Sequence, residues 1–126
     1  GTGRVLLLED EEIVSKAVVR MLEQLGYSCS LTTDGRETLK AYAEADAAGR
    51  PFAAVIMDLT IPGGQGGKET VKELRKLAPA VPVIVSSGYS DEAVMANYKD
   101  YGFDAVLPKP YDYEDLAATL AGLLKK

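Results

Sequence analysis

Apolar runs and helix-spaced apolar residues alternate along the whole chain. The run Arg4-Val5-Leu6-Leu7-Leu8 reads as a buried strand, and Ile13, Val14, Ala17, Val18, Met21, Leu22 and Leu25 then recur along one helical face, closed by Gly26 as C-cap. Residues 27–33 alternate apolar and polar, which predicts an edge strand with Tyr27, Cys29 and Leu31 turned inward. Asp34 with Glu37 three residues on has capping-box spacing, and the helix it opens carries Leu39, Tyr42, Ala43 and further alanines up to Gly49. Residues 53–58 form a third strand run, followed by a helix with Val71, Leu74 and Leu77 inward and Pro79 as its stop. Its outer face is charged, with Lys68, Glu69, Lys72, Glu73, Arg75 and Lys76. A fourth run at 81–85 leads into Ser86-Ser87-Gly88-Tyr89, and Ser90 caps a helix over 91–101 whose pattern (Val94, Met95, Tyr98) is the weakest in the chain. Residues 103–107 make the last strand, and Asp112 caps a closing helix with Leu116, Leu120, Leu123 and Leu124 facing in.

Five strands alternating with five helices predict an α/β fold, a doubly wound, five-stranded parallel sheet with helices on both faces; of the two strand orders common for such sheets, acids at the ends of the first and third strands match the flavodoxin-like order 2-1-3-4-5. In such sheets ligands bind outside the carboxyl ends of the strands. Those ends carry the chemistry here. The first strand stops at Glu9-Asp10-Glu11-Glu12, the third at Asp58 before a Pro62-Gly63-Gly64 loop, the fourth at Ser87, and the fifth at Lys109. Glu11 and Glu12 are assigned to the helix N-terminus, which favours negative charge. Asp58 is then the candidate nucleophile for a phosphoryl group. Clustered carboxylates repel one another unless a divalent cation joins them, while a phosphoryl dianion needs the metal, an ammonium and a hydroxyl as partners. Glu9, Asp10, Asp58, Ser87 and Lys109 supply that set.

Composition narrows the chemistry further. The 126 residues are 47% hydrophobic, enough for one well-filled core, and the length makes one domain of residues 4–126. Residues 1–3 are set aside as a start-site remnant. The net charge is −5 and the basic residues are scattered, which argues against direct nucleic-acid binding. With no histidine and one cysteine, Cys29, the usual zinc and haem ligands are missing, leaving oxygen donors and a hard cation such as magnesium. A lone cysteine also fits a reducing compartment, and a thiol at position 29 is best explained by core packing. The apolar runs are far shorter than the roughly 20 residues of a membrane span.

The chain resembles response-regulator receiver domains of two-component signalling over essentially its whole length. Leu8-Glu9-Asp10-Glu11, Met57-Asp58-Leu59-Thr60-Ile61-Pro62-Gly63, Pro82-Val83-Ile84-Val85-Ser86-Ser87-Gly88 and Leu107-Pro108-Lys109-Pro110 match four motifs of that family in order. The resemblance implies that Asp58 is the phosphoacceptor and, with Asp10 and the Thr60 carbonyl, a direct ligand of Mg2+ or Mn2+, Glu9 acting through water. It implies that Ser87 and Lys109 bind the phosphoryl group and that the bond preceding Pro110 is cis. Two positions depart from the commoner pattern: Glu9 stands where aspartate is usual, and Val106 stands where many receivers carry a switching aromatic. Tyr89, Val106 and Tyr111 are the candidate switch surface, with Tyr98, Tyr101 and Phe103 open to the same role or to plain core packing.

The implied partner is a histidine kinase or a histidine phosphotransfer domain, with no nucleic-acid or membrane contact. A homodimer through the face made by the fourth helix, fifth strand and fifth helix is left open. The implied location is the cytoplasm, as a stand-alone regulator or as a receiver from a hybrid sensor histidine kinase, which the Asp58–Gly67 region is most similar to. Two enzyme readings fit less well. A phosphate-binding loop at residues 63–68 lacks its first glycine, which is Pro62, and its final Ser/Thr, which is Glu69. A haloacid-dehalogenase-type phosphatase needs a second aspartate two positions after the nucleophile, where this chain has Thr60. The expectation is a phosphoacceptor signalling domain rather than a turnover enzyme.

Overall fold

The computed structural model describes residues 3–59, 61, 64–88 and 92–124. Its strands are β1 (Arg4–Leu8), β2 (Ser28–Thr32), β3 (Ala54–Asp58), β4 (Val83–Ser87) and β5 (Ala105–Pro108). The α-helices are α1 (Glu12–Gln24), α2 (Gly35–Ala47), α3 (Gly67–Leu77), α4 (Glu92–Ala96) and α5 (Tyr113–Leu124). All strand pairs are parallel and the order is β2-β1-β3-β4-β5, the expected one.

Period-two alternation divides the strand side chains between two cores. Leu6, Leu8, Val55, Met57, Val83 and Val85 pack on one face with Tyr42, Val71, Leu74, Val94 and Phe103. Val5, Leu7, Ala54, Ile56 and Ile84 pack on the other with Val18, Leu22, Leu116 and Leu120. The three central strands are therefore buried on both sides, which is why they read as unbroken apolar runs. Each buried leucine or isoleucine contributes about 1.5–3 kcal/mol relative to exposure. This rigid centre carries the strand ends.

Helix ends follow local chemistry. Gly26 adopts φ 96°, its N–H bonds the Glu23 carbonyl and the Tyr27 N–H bonds Leu22, which closes α1 in a left-handed cap that glycine adopts without strain. Asp34 accepts the Glu37 N–H at 2.9 Å, but the Glu37 carboxylate turns to the Thr33 N–H and hydroxyl at 2.8 and 2.9 Å rather than completing a box on Asp34. Asp112 and Asp115 cap α5 reciprocally, each accepting the other's N–H.

Several expected positions differ. Ile13 is 86% exposed and Ala17 is also exposed, because their helical row continues through Arg20 and Gln24, whereas the row of Val14, Val18, Met21 and Leu25 faces the sheet. Leu31 is exposed because β2 is an edge strand that α1 overhangs only in part, leaving a groove lined by Ser15, Val19, Glu23 and Leu31. Ala43 lies on the solvent side of α2, where Tyr42 and Ala45 take the interior. Leu77 is exposed because Ala78, just past the end of α3, fills the interior place.

Arg75 does not join the outer charged face. Its guanidinium folds back to bond the carbonyls of Ala78, Pro79, Val81 and Gly102 and the Asp104 carboxylate. The stretch expected as one helix over 91–101 is divided into α4 and a 3-10 turn, Tyr98–Tyr101. Asn97 leaves helical geometry at φ −116°, ψ 36°, and its side chain bonds the Ala93 carbonyl in competition with the backbone. The proposed Ser90 cap lies outside the described residues.

Candidate functional site

The four strand ends converge on one rim of the sheet. Leu8 pairs with Met57, Asp58 with Ser86, and Ser87 with Pro108, so β1, β3, β4 and β5 deliver their next residues side by side. Oxygen atoms of Glu9, Asp10 and Asp58 lie within 4.8 Å of one another. Glu9 and Asp58 are buried and Asp10 is exposed. Gly67 allows the crowding: a Cβ there would meet the Asp58 carbonyl at 2.9 Å and the Met57 Cβ at 3.0 Å, so glycine lets the first turn of α3 sit directly on the end of β3.

Lys109 supplies the cation. Its side chain is 12% exposed, and Nζ lies 2.6 Å from Glu9 Oε1, 3.3 Å from Asp58 Oδ2 and 3.8 Å from Glu11 Oε1. Burial alone would lower the Lys109 pKa, but the Glu9 hydrogen bond and the Asp58 charge outweigh it and raise the value above the ordinary 10.5. The Lys109 N–H donates to the Ser87 carbonyl at 3.0 Å, tying the fourth and fifth strand ends together, and the Lys109-Pro110 peptide is cis. Ser87 is buried at the end of β4.

Residues 5–121 match the family described as the response regulator receiver domain. The chain belongs to that family. It is 33% identical over 126 residues to the sensor kinase CckA of Brucella abortus, covering all of this chain and 13% of that one. It spans about half the length of transcriptional regulatory proteins it also matches, YkoG of Bacillus subtilis and QseB of Escherichia coli. Among solved structures, the chemotaxis protein CheY4 of Vibrio cholerae is 28% identical with a TM-score of 0.84 over 98% of this chain and all of that one. The receiver domain of the sensor histidine kinase PA1611 of Pseudomonas aeruginosa, at 24% identity, shares the fold with a TM-score of 0.82 over the full length of both chains.

In this receiver Glu9, Asp10, Asp58 and Lys109 meet in one cluster, with Ser87 on the adjacent strand end. Thr60 and Tyr89 lie outside the described residues. Val106 is half-buried on β5, in register with Val85, and borders a groove with Leu107, Tyr111, Asp115 and Thr119. One contribution was not read from the pattern, and one residue named for the switch surface also lies against the site. Glu11, assigned only to the helix N-terminus, gives its N–H to Glu9 Oε2 at 3.1 Å and points its own carboxylate toward Lys109. Tyr111, read as a switch-surface residue, packs against the core on the α5 side of the sheet, and burial, then the charge of Glu9, push its hydroxyl pKa upward.

The cluster meets the demands of a hard divalent cation. Its donors are all oxygens, and its carboxylates outnumber the one ammonium that reaches them, which leaves a negative surplus for such an ion to neutralise.

Proposed function

We propose that Asp58 accepts a phosphoryl group from a phosphohistidine on a histidine kinase or phosphotransfer partner, in a reaction that uses Mg2+ or Mn2+. The observation that carries this reading is the placement of the buried Asp58 carboxylate beside both a carboxylate pair and the Lys109 ammonium at a strand end. Asp10 and Asp58 would hold the ion directly, with the Thr60 carbonyl as a further ligand and Glu9 within reach of its waters. When bound, the ion neutralises the carboxylates and draws charge from the phosphoryl oxygens. The PA1611 receiver, alike in fold, holds a magnesium ion coordinated in its active site cleft.

In the transfer, an Asp58 oxygen forms the new O–P bond as the N–P bond of the donor breaks, its electron pair staying on the imidazole nitrogen. The product carries about two negative charges where Asp58 carried one. Lys109 pairs with one phosphoryl oxygen and the Ser87 hydroxyl donates to another. Because the Lys109 N–H is bonded to the Ser87 carbonyl, the two loops respond together. The response passes to the surface of α4, β5 and α5, with Val106, Tyr111 and Tyr89 as its switch residues, and shifts its population between two states. That surface is also the proposed face for a homodimer.

The domain is read as a phosphoacceptor in a signalling relay rather than a turnover enzyme, working in the cytoplasm either alone or as part of a membrane-anchored hybrid kinase, without direct nucleic-acid or membrane contact. Among the described residues no helix is long and apolar enough to cross a membrane.

Incubation with magnesium and acetyl phosphate, followed by intact mass, tests the first step. One added phosphoryl group in the native chain and none in Asp58→Asn is the expected result. No addition to the native chain, or equal addition to the variant, would overturn it.

A further inference from the structure

Glu9 is the most enclosed of the three site acids, only 3% exposed, and both of its oxygens are engaged. Oε1 is 2.6 Å from Lys109 Nζ and Oε2 accepts the Glu11 N–H at 3.1 Å. Its own N–H is held by the Thr32 carbonyl of β2 at 3.0 Å, so the side chain projects from a fixed point. The Lys109–Glu9 contact is also shorter than the 3.3 Å contact from Lys109 to Asp58. Lys109 is therefore set primarily on Glu9 and presented to Asp58 from there.

We propose that Glu9 is a positioning residue for Lys109, and that the additional methylene of glutamate over aspartate is what makes the contact. Shortening the side chain withdraws the carboxylate by about 1.5 Å, one C–C bond, which takes the pair out of hydrogen-bonding range. A residue acting only through waters on a cation makes a different prediction. There the charge at position 9 matters and the length matters little, so aspartate would serve as well. The two roles separate on a single substitution that keeps charge and removes reach.

The proposal deepens the phosphoacceptor reading and rests on it, but its test uses the resting, magnesium-free protein. NMR of 15N-labelled lysine side chains reports how fast the Lys109 ammonium protons exchange with water, with the exposed Lys72 as internal reference. The native protein is expected to show slow exchange at Lys109, and both Glu9→Asp and Glu9→Gln to speed it by about tenfold or more, the factor that corresponds to losing one charged hydrogen bond. Magnesium titration of Glu9→Asp is expected to give an affinity within about threefold of the native protein, since the charge is kept. Thermal melts confirm that each variant is folded. Slow exchange retained at Lys109 in Glu9→Asp, or native exchange at Lys109 as fast as at Lys72, overturns the positioning role. Failure of native protein to gain a phosphoryl group from acetyl phosphate would instead remove the phosphoacceptor reading, and leaves the exchange result standing on its own.

Discussion

Two cations tie opposite rims of the same sheet, and they are satisfied in opposite ways. Arg75 lies where β4 and β5 begin, surrounded by the carbonyls of Ala78, Pro79, Val81 and Gly102 and by one carboxylate, Asp104, which also accepts the Val83 N–H. Lys109 lies where β3, β4 and β5 end, facing the carboxylates of Glu9 and Asp58, with Glu11 farther off and Asp10 in the same cluster. Four neutral carbonyls and a single carboxylate balance the guanidinium and leave no net charge over. Surplus carboxylates around one ammonium leave a rim that still attracts positive charge. The first arrangement is a fastening, and the second is a site.

The largest effect expected from this contrast is on Lys109→Met. It leaves the buried Glu9 without its ammonium and is expected to cost about 3–5 kcal/mol in chelator, the range for breaking one side of a buried pair. Urea unfolding measures it. Millimolar magnesium is expected to return part of that loss, beyond what it adds to the native protein, because a divalent cation replaces the missing charge. A Lys109→Met midpoint equal to native in chelator would mean that the ammonium contributes nothing at rest, and the contrast would fail on that side.

A smaller loss is expected for Arg75→Met, about 2–3 kcal/mol, from stranding the partly buried carbonyls and the Asp104 carboxylate. Magnesium should stabilise this variant by the same increment as the native protein, and labelling of Asp58 by acetyl phosphate should proceed at the native rate. A labelling defect in folded Arg75→Met would show that the two rims are coupled, and the distinction between fastening and site would have to be given up.

The two rims also differ in how far they could be read from the chain. The meeting of the strand-end residues was legible because they are distinctive types: acids after the first and third strands, a hydroxyl after the fourth and a lysine after the fifth, which the matched order 2-1-3-4-5 brings to one rim. The Arg75 fastening was not, since four of its five acceptors are main-chain carbonyls and any residue carries one. In helical projection Arg75 falls among the lysines of α3, and only the turn back through residues 78–81 and the packing of residues 102–104 bring its acceptors within reach. Ile13 shows a different failure. Its apolar type suggested the core, while the polar residues Arg20 and Gln24 on the same row already pointed outward. The reach of Glu9 to Lys109 is a tertiary distance between β1 and β5, on strands separated in the sheet by β3 and β4, and no local spacing encodes it.

The smallest expected effect, and the one that separates the cations most directly, is the response to alkaline pH. The Lys109 pKa is raised in the folded protein, so its contribution is complete below the ordinary lysine value of 10.5 and is lost as pH climbs through the higher folded value. The gap in urea midpoint between native and Lys109→Met should therefore narrow above that point, at no more than about 1.4 kcal/mol per pH unit. A guanidinium keeps its proton throughout this range, so the gap between native and Arg75→Met should not narrow, and it widens slightly because Arg75 lowers the pKa of Tyr42, which ionises later in the variant. Burial also raises Cys29, from 9.0 to about 12, and both Tyr42 and Tyr111 are raised. These groups ionise first in the unfolded chain and lower the stability of all three proteins over the same interval, so the direction in which each gap moves, rather than the midpoints, carries the information. Equal narrowing of both gaps would mean that alkali loosens the whole fold, and a constant Lys109 gap would mean that the ammonium is not what holds Glu9 in the resting protein.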